Sequence, residues 1–238
     1  MARAESASIV RLSTRAVAPA DRLGYASWIL NSSLAPSVLS TGTPAEYDLE
    51  VTALELPSVG IVAASGSQTR SIRRQTEIRR TSQRYFSLAL VLNGTANFTS
   101  VTRNRFAPGE LIFYDSRHPQ DCELLPHWRT LVLQLSESFV RKWVPNPAVL
   151  GWRRICPESQ WGRVLASYVA QLAPEFVVQA PLPQTVLIDQ LGALLALTAG
   201  ELGGSRVVTT PVERSVRDRV HDHITQRCPD TSLRATDV

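Results

Sequence analysis

The sequence predicts an α+β fold: a small antiparallel β-barrel or sandwich, then an α-helical segment, then the start of a second helical unit. Three observations predict it. From Tyr85 to Leu92 apolar residues recur at every second position, the rhythm of a strand with two different faces. Turn dipeptides punctuate the stretch that follows, Asn93-Gly94 and Pro108-Gly109 among them. After Ser136 the apolar spacing changes from two residues to 3.6.

Residues 1–18 read as a leader with one strand. Pro19-Ala20-Asp21 opens a helix running to about Ser33, with Leu23, Trp28 and Leu30 as its expected buried members. Residues 35–47, rich in Pro, Ser, Thr and Gly, read as loop. Leu49, Val51 and Ala53 lie on one face of a strand, Pro57-Ser58 breaks it, and Val59 to Ala64 forms the next. Residues 70–84 carry six arginines: Arg70, Arg73, Arg74, Arg79, Arg80 and Arg84. They fit a solvated edge hairpin whose charges discourage pairing with another sheet. Less favoured are one guanidinium turned inward as a fork for an anion and, last, contact with nucleic-acid phosphate.

Asn93-Gly94 predicts a tight hairpin, since both residues tolerate positive φ. Strands follow through Ala96, Phe98 and Ser100, then after a polar tip at Thr102-Arg103-Asn104, then over Leu111 to Tyr114 and Trp128 to Leu135. Ser136 is placed to cap a short helix bearing Phe139, Val140 and Trp143. Pro157-Glu158 opens a longer one, with Trp161, Val164, Leu165, Tyr168, Val169 and Leu172 at helical spacing and Pro174 as its stop. Gln184 to about Leu202 is apolar most of the way round, which one side of a small β domain cannot cover. A subunit interface through Leu187, Leu191, Leu194 and Leu195 is therefore expected. Gly203-Gly204-Ser205 reads as a joint, and Pro211 to about Arg227 as a last helix with Val216, Val220 and Ile224 in a narrow stripe.

The order hairpin, polar tip, A-P-G-E-L-I-F-Y-D-S (residues 107–116), strand and amphipathic helix resembles the cupin-like sensor domain of AraC/XylS-type bacterial transcription regulators. That family writes Pro-Gly-Asp where this chain has Pro108-Gly109-Glu110. It writes Leu-Pro-Arg where this chain has Leu135-Ser136-Glu137. The resemblance implies a cupin-like effector-binding and dimerisation domain over 1–202, a linker over 203–210, and the first part of a helix-turn-helix DNA-binding domain over 211–238. The recognition helices would lie beyond Val238, so the chain reads as truncated. It implies a small-molecule effector, an anionic or aromatic acid among the options, a homodimer, and operator DNA as partner of the full-length protein. Arg84, Phe86, Phe113, His118 and Trp128 are the expected lining of the effector pocket.

Composition narrows the alternatives. The 238 residues are 44% hydrophobic and carry a net charge of +4, almost all of it arginine. Three cysteines, Cys122, Cys156 and Cys228, at wide spacing argue against a disulfide framework. No run of about 18 apolar residues and no secretory leader is seen, so a cytoplasmic protein without a membrane span is expected. His118 and His127 flank Asp121, Cys122 and Glu123 without the His-x-His spacing of cupin metal enzymes, and His221 and His223 diverge on a helix. No nucleophile motif or phosphate loop occurs, so no metal, no cofactor and no catalysis is expected. A metal-dependent cupin enzyme, and a truncated partner that poisons full-length regulators, stand as alternatives.

Overall fold

The computed structural model describes residues 8–81, 84–100, 103–151 and 153–203. The last helix and linker expected from the sequence, and Cys228, lie outside them. Twelve strands form two antiparallel sheets. The first takes β1 (Ile9–Ser13), β3 (Leu49–Glu55), β4 (Val59–Gly66), β6 (Tyr85–Asn93), β9 (Leu111–Asp115), β11 (Trp128–Ser136) and β12 (Arg154–Ile155), in the order β1-β3-β4-β11-β6-β9-β12. The second takes β2 (Val38–Ser40), β5 (Thr69–Arg73), β7 (Ala96–Thr99), β8 (Arg103–Phe106) and β10 (Gln120–Leu124), in the order β2-β5-β10-β7-β8.

Successive strands repeatedly change sheet, the wiring of a jelly-roll sandwich. Asn93-Gly94 therefore does not make the predicted hairpin. Strand β6 pairs with β9 and β11, β7 pairs with β8 and β10, and the turn carries the chain from one sheet to the other. Gly94 has φ 76°, and a Cβ there would stand 3.0 Å from the Trp128 backbone, so glycine suits the corner twice over. Pro108-Gly109 makes a similar crossing from β8 to β9, with Gly109 at φ 88° and its N–H bonded to the Val91 carbonyl at 2.8 Å.

Helix α1 (Arg22–Ser33) caps one end of the sandwich. It buries Ala26, Ile29 and Leu30, an i, i+3, i+4 set, while Trp28 is 54% exposed and stacks on Tyr25. The expected burial of Trp28 is thus corrected: Leu23, Trp28 and Leu30 do not share one helical face. The arginine-rich stretch is not an edge hairpin either. Strand β5 lies between β2 and β10, and Gln75–Arg79 forms a short helix, α2.

Four helices cover the outer face of the first sheet: α3 (Glu137–Trp143), α4 (Gln160–Gln171), α5 (Pro174–Gln179) and α6 (Gln184–Gly203). Ser136 caps α3 as predicted, its hydroxyl accepting from the Phe139 N–H at 3.3 Å. Pro174 does not merely stop α4; it is the first residue of α5. Glu201, near the end of α6, accepts from the N–H groups of Gln160 and Trp161 at 2.9 and 2.8 Å and so ties down the start of α4. Leu88, Leu133 and Leu135 from the sheet, Val140 from α3, Leu165 and Val169 from α4, and Leu191 and Leu195 from α6 form one buried cluster.

Helix α6 is long and apolar enough, by length and composition, to cross a membrane, with mean hydropathy 1.4 over an 18-residue window. Its inner face is instead packed into that cluster. This corrects the predicted interface residues. Leu187, Leu191 and Leu195 are buried within the chain's own core, and Leu194 is half-buried against it. The apolar side chains that α6 presents outward are Val186 and Leu197, 39% and 42% exposed.

Candidate functional site

Between the two sheets lies a cavity of about 110 Å³. That is roughly an order of magnitude above the ~10–15 Å³ that one water needs. Its walls follow directly from the period-two pleat. Strand β6 contributes Tyr85, Ser87, Ala89 and Val91, and β11 contributes Trp128, Thr130, Val132 and Gln134. Strand β9 adds Ile112 and Tyr114. From the facing sheet come Thr69, Ser71 and Arg73 of β5, Gln120, Cys122 and Leu124 of β10, and Phe98 and Phe106. Leu30 and Leu34, at the end of α1, help to close it.

Register sorts these groups by polarity. Gln120 is paired with Arg73, Ser87 with both Tyr114 and Gln134. Arg73, Gln120, Ser87, Tyr114 and Gln134 therefore gather at one end with Tyr85 and Ser116. At the other, Val91, Ala96, Phe98, Phe106 and Ile112 form a buried apolar cluster. The ring of Trp128 lines that half, fixed by its indole N–H donating to the Ser67 carbonyl at 2.6 Å.

Arg73 decides the electrostatics. It is 1% exposed, and among the described residues it is the one charged side chain in the cavity wall. Its Nε donates to the Ser116 carbonyl at 3.2 Å, Nη1 to the Pro36 carbonyl at 2.6 Å and Nη2 to the Thr81 hydroxyl at 2.8 Å. All three acceptors are neutral. A buried guanidinium without a carboxylate is an unusual arrangement, since an unpaired charge away from water is costly. Two more buried polar atoms of the lining lack a partner: the Tyr85 hydroxyl and Gln120 Oε1. Burial pushes the Tyr85 phenol up, against the pull of the Arg73 charge. Burial likewise pushes Tyr114 up, with its hydrogen bond to Ser87 acting in the opposite sense. Both phenols thus stay protonated at neutral pH. The Cys122 thiol is pushed up to about 12, by burial first and then by the charges of Asp121 and Glu123.

Of the five predicted lining residues, only Trp128 faces this cavity. Phe86 and Phe113 stack on each other, centroids 5.3 Å apart, on the opposite face of the sheet under the helices. The alternation is as predicted, but the two faces are exchanged. Arg84 also points away from the lining. It donates to Asp115 at 2.6 Å and to Glu137, the first residue of α3, at 2.5 Å. His118 sits in the turn between β9 and β10, its Nδ1 4.0 Å from Asp115. Burial would raise the Asp115 pKa. The hydrogen bonds from Arg84 and the Arg117 N–H, with the charges of both guanidiniums, outweigh it and hold the carboxyl below its ordinary value. Tyr85, Ser87, Tyr114 and Gln120 line the cavity without being among the residues expected from the sequence. Arg73 stands in that expectation only as one of six equivalents. Among the described residues no group of three His, Cys, Asp or Glu side chains is placed to hold a metal ion.

The model of the AraC-binding-like domain matches residues 26–198. The chain belongs to that family. Its fold is similar to the crystal structure of the AraC-like transcriptional activator CuxR, with a TM-score of 0.68 at 14% identity over 95% of this chain and 81% of that one. Smaller likenesses include the EutQ protein of Clostridium difficile, with a TM-score of 0.30 at 16% identity over 41% of this chain and 74% of that one. KdgF from Halomonas sp. gives 0.31 at 11% identity over 42% and 87%. No curated protein sequence matches significantly. The cupin-like sandwich implied by the resemblance is therefore the fold of this chain, and the family is the one whose sensor domains the sequence resembles.

Proposed function

We propose that this chain is the small-molecule-sensing and dimerising part of an AraC-type transcription regulator, acting by binding and not by catalysis, in the cytoplasm. The observation that carries the reading is the cavity between the sheets. It is walled by side chains from both sheets, and it holds buried polar atoms without partners in a chain of this family. Sites of this kind, apolar with a few placed polar groups, are where small ligands bind. An effector that binds one domain arrangement better than another shifts the population toward it, and a DNA-binding unit following residue 203 would report the shift. The dimer contact is assigned to the outward stripe of α6, where Val186 and Leu197 fall eleven residues apart, three helical turns, with Ala193 between them.

The reading is tested by screening the purified chain by thermal shift against a panel of sugars, organic acids, amines and alcohols, and by solving a crystal structure with any compound that stabilises it. Density for a compound among Arg73, Tyr114 and Phe98 supports a sensor. A panel without a single stabilising compound, together with soaked crystals whose cavity holds only water, would refute it.

A further inference from the structure

We infer that the effector is a monocarboxylate with an apolar body, bound with its carboxylate on Arg73 and its body toward Phe98 and Phe106. This rests on reading the cavity as the sensor pocket. Charge decides the class. Among the described residues the wall supplies one fixed positive charge and no negative one, so a monoanion leaves the pocket neutral. A phosphate dianion would keep one charge unmatched in a site that offers no second cation. Geometry decides the group. A guanidinium has five N–H donors, and Arg73 commits three, one from each nitrogen. One N–H remains on each terminal nitrogen, the pair of donors that a planar carboxylate takes in parallel. Tyr85 adds an unpartnered hydroxyl nearby that can donate to the carboxylate. The two terminal nitrogens are also held by Pro36 and Thr81, so the fork is fixed before any ligand arrives, which lowers the ordering cost of binding. The far end is lined mainly by Val91, Phe98, Phe106 and Ile112, with the Thr130 hydroxyl beside Val91 as its polar exception.

The experiment is calorimetric titration of the full chain with hexanoate, octanoate, benzoate and phenylacetate, each beside its uncharged amide, with inorganic phosphate as a further arm. The acids are expected to bind at least ten times more tightly than their amides, and phosphate not to register. Arg73→Met should erase the preference for acid over amide. Because that variant also loses the contacts to Pro36 and Thr81, two milder ones accompany it: Arg73→Lys, which keeps the charge but not the fork, and Tyr85→Phe. Each should weaken the acids several-fold and leave the amides unchanged. Equal binding of acid and amide in the unaltered chain, or phosphate binding in place of the acids, overturns the carboxylate assignment while leaving a sensor pocket. Binding of no compound, charged or neutral, overturns the carboxylate assignment, and the sensor reading falls with it only if the wider thermal-shift panel and the soaked crystals are empty as well.

Discussion

Two glycines on one helix should respond to the same substitution with opposite signs. Gly192 lies on the inner face of α6, and the indole of Trp143 at the end of α3 fills the space its missing side chain leaves. A Cβ built on Gly192 falls 2.2 Å from Trp143 Nε1 and 2.3 Å from Cε2. Comfortable contact needs roughly 3.5 Å or more, so the overlap exceeds 1 Å and the ring must move. The ring has little room to do so, because α3 runs directly into Val144, itself buried. A methyl group forced into a packed core costs ~1–3 kcal/mol, and an overlap this large belongs at the upper end. Replacing glycine by alanine in a helix returns about 1 kcal/mol, so Gly192→Ala should destabilise the chain by about 2 kcal/mol. Gly200, eight residues on, is exposed and has nothing within 4 Å of its Cβ position. There only the helix term operates, and Gly200→Ala should stabilise by ~0.5–1 kcal/mol. The pair should differ by about 3 kcal/mol, roughly two decades in the unfolding equilibrium. Urea titration followed by far-UV circular dichroism measures both without relying on the fluorescence of Trp143. If Gly192→Ala proves as stable as Gly200→Ala, α6 does not dock on α3 as described.

Other tests address the ion pairs, the cavity and the outer surface. The Asp115 pKa is depressed in the folded chain, so the stability it contributes is present above its unfolded value, about 4, and is lost as pH falls toward the folded value. Asp115→Asn should cost about 3 kcal/mol at pH 7, since it leaves the largely buried Arg84 short of a partner, and should flatten the fall in urea midpoint below pH 4; an unchanged acid slope contradicts this. With its thiol at about 12, Cys122 is thiolate in roughly one molecule in 10⁵ at pH 7, so iodoacetamide should modify it only after unfolding. Peptide mapping that finds it alkylated in the folded chain as fast as an exposed cysteine would mean the cavity is open. On the proposed α6 dimer contact, Leu197→Glu should leave the chain monomeric in sedimentation velocity where the unaltered chain is dimeric, with little effect on folding, since the side chain points outward. An unchanged mass removes α6 from the interface.

The sequence made the rhythm of β6 legible but not its sense. Both sets of alternating residues are largely apolar, because both faces of the sheet are covered. The clue lay in size and polarity. Phe86, Leu88 and Leu90 are uniformly large, as the helix-covered face requires, whereas Tyr85, Ser87 and Ala89 mix small and hydroxyl-bearing side chains, which leave space and line a cavity. Arg73 was hidden by number. Only pairing in space, with Val38–Ser40 on one side of β5 and Gln120–Leu124 on the other, shows which face is covered, and so separates it from exposed Arg70, three residues away on the opposite face. Asn93-Gly94 announced a turn by its own chemistry, but turn residues fix local dihedral angles and not the sheet that the next strand joins. Ser136 was the reverse case. A cap acts within one helical turn, so local sequence sufficed.

The arrangement joins the cavity to the helices through very few residues. Strands β6, β9 and β11 present alternate side chains to the cavity and to the helical layer, so neither face can adjust without the other. The link is shortest where β9 ends. The Ser116 carbonyl accepts from Arg73 inside the cavity, and its hydroxyl accepts from the Tyr85 N–H at 3.1 Å. One residue before it, Asp115 accepts from Arg84, and Arg84 holds Glu137 at the start of α3. Glu137 in turn accepts from Arg141 one turn along the helix, at 2.9 Å. A carboxylate drawn to Arg73 would therefore act one peptide unit from the ion pairs that seat α3, the helix whose Trp143 holds α6. Polar groups with fixed directions carry such a displacement better than a methyl-lined wall, which can yield by rotamer changes. On the proposed reading, the position of Arg73, the one buried cation among the described residues, at this end of the cavity and not among the phenylalanines at the other, would give a ligand its mechanical purchase on the helical layer.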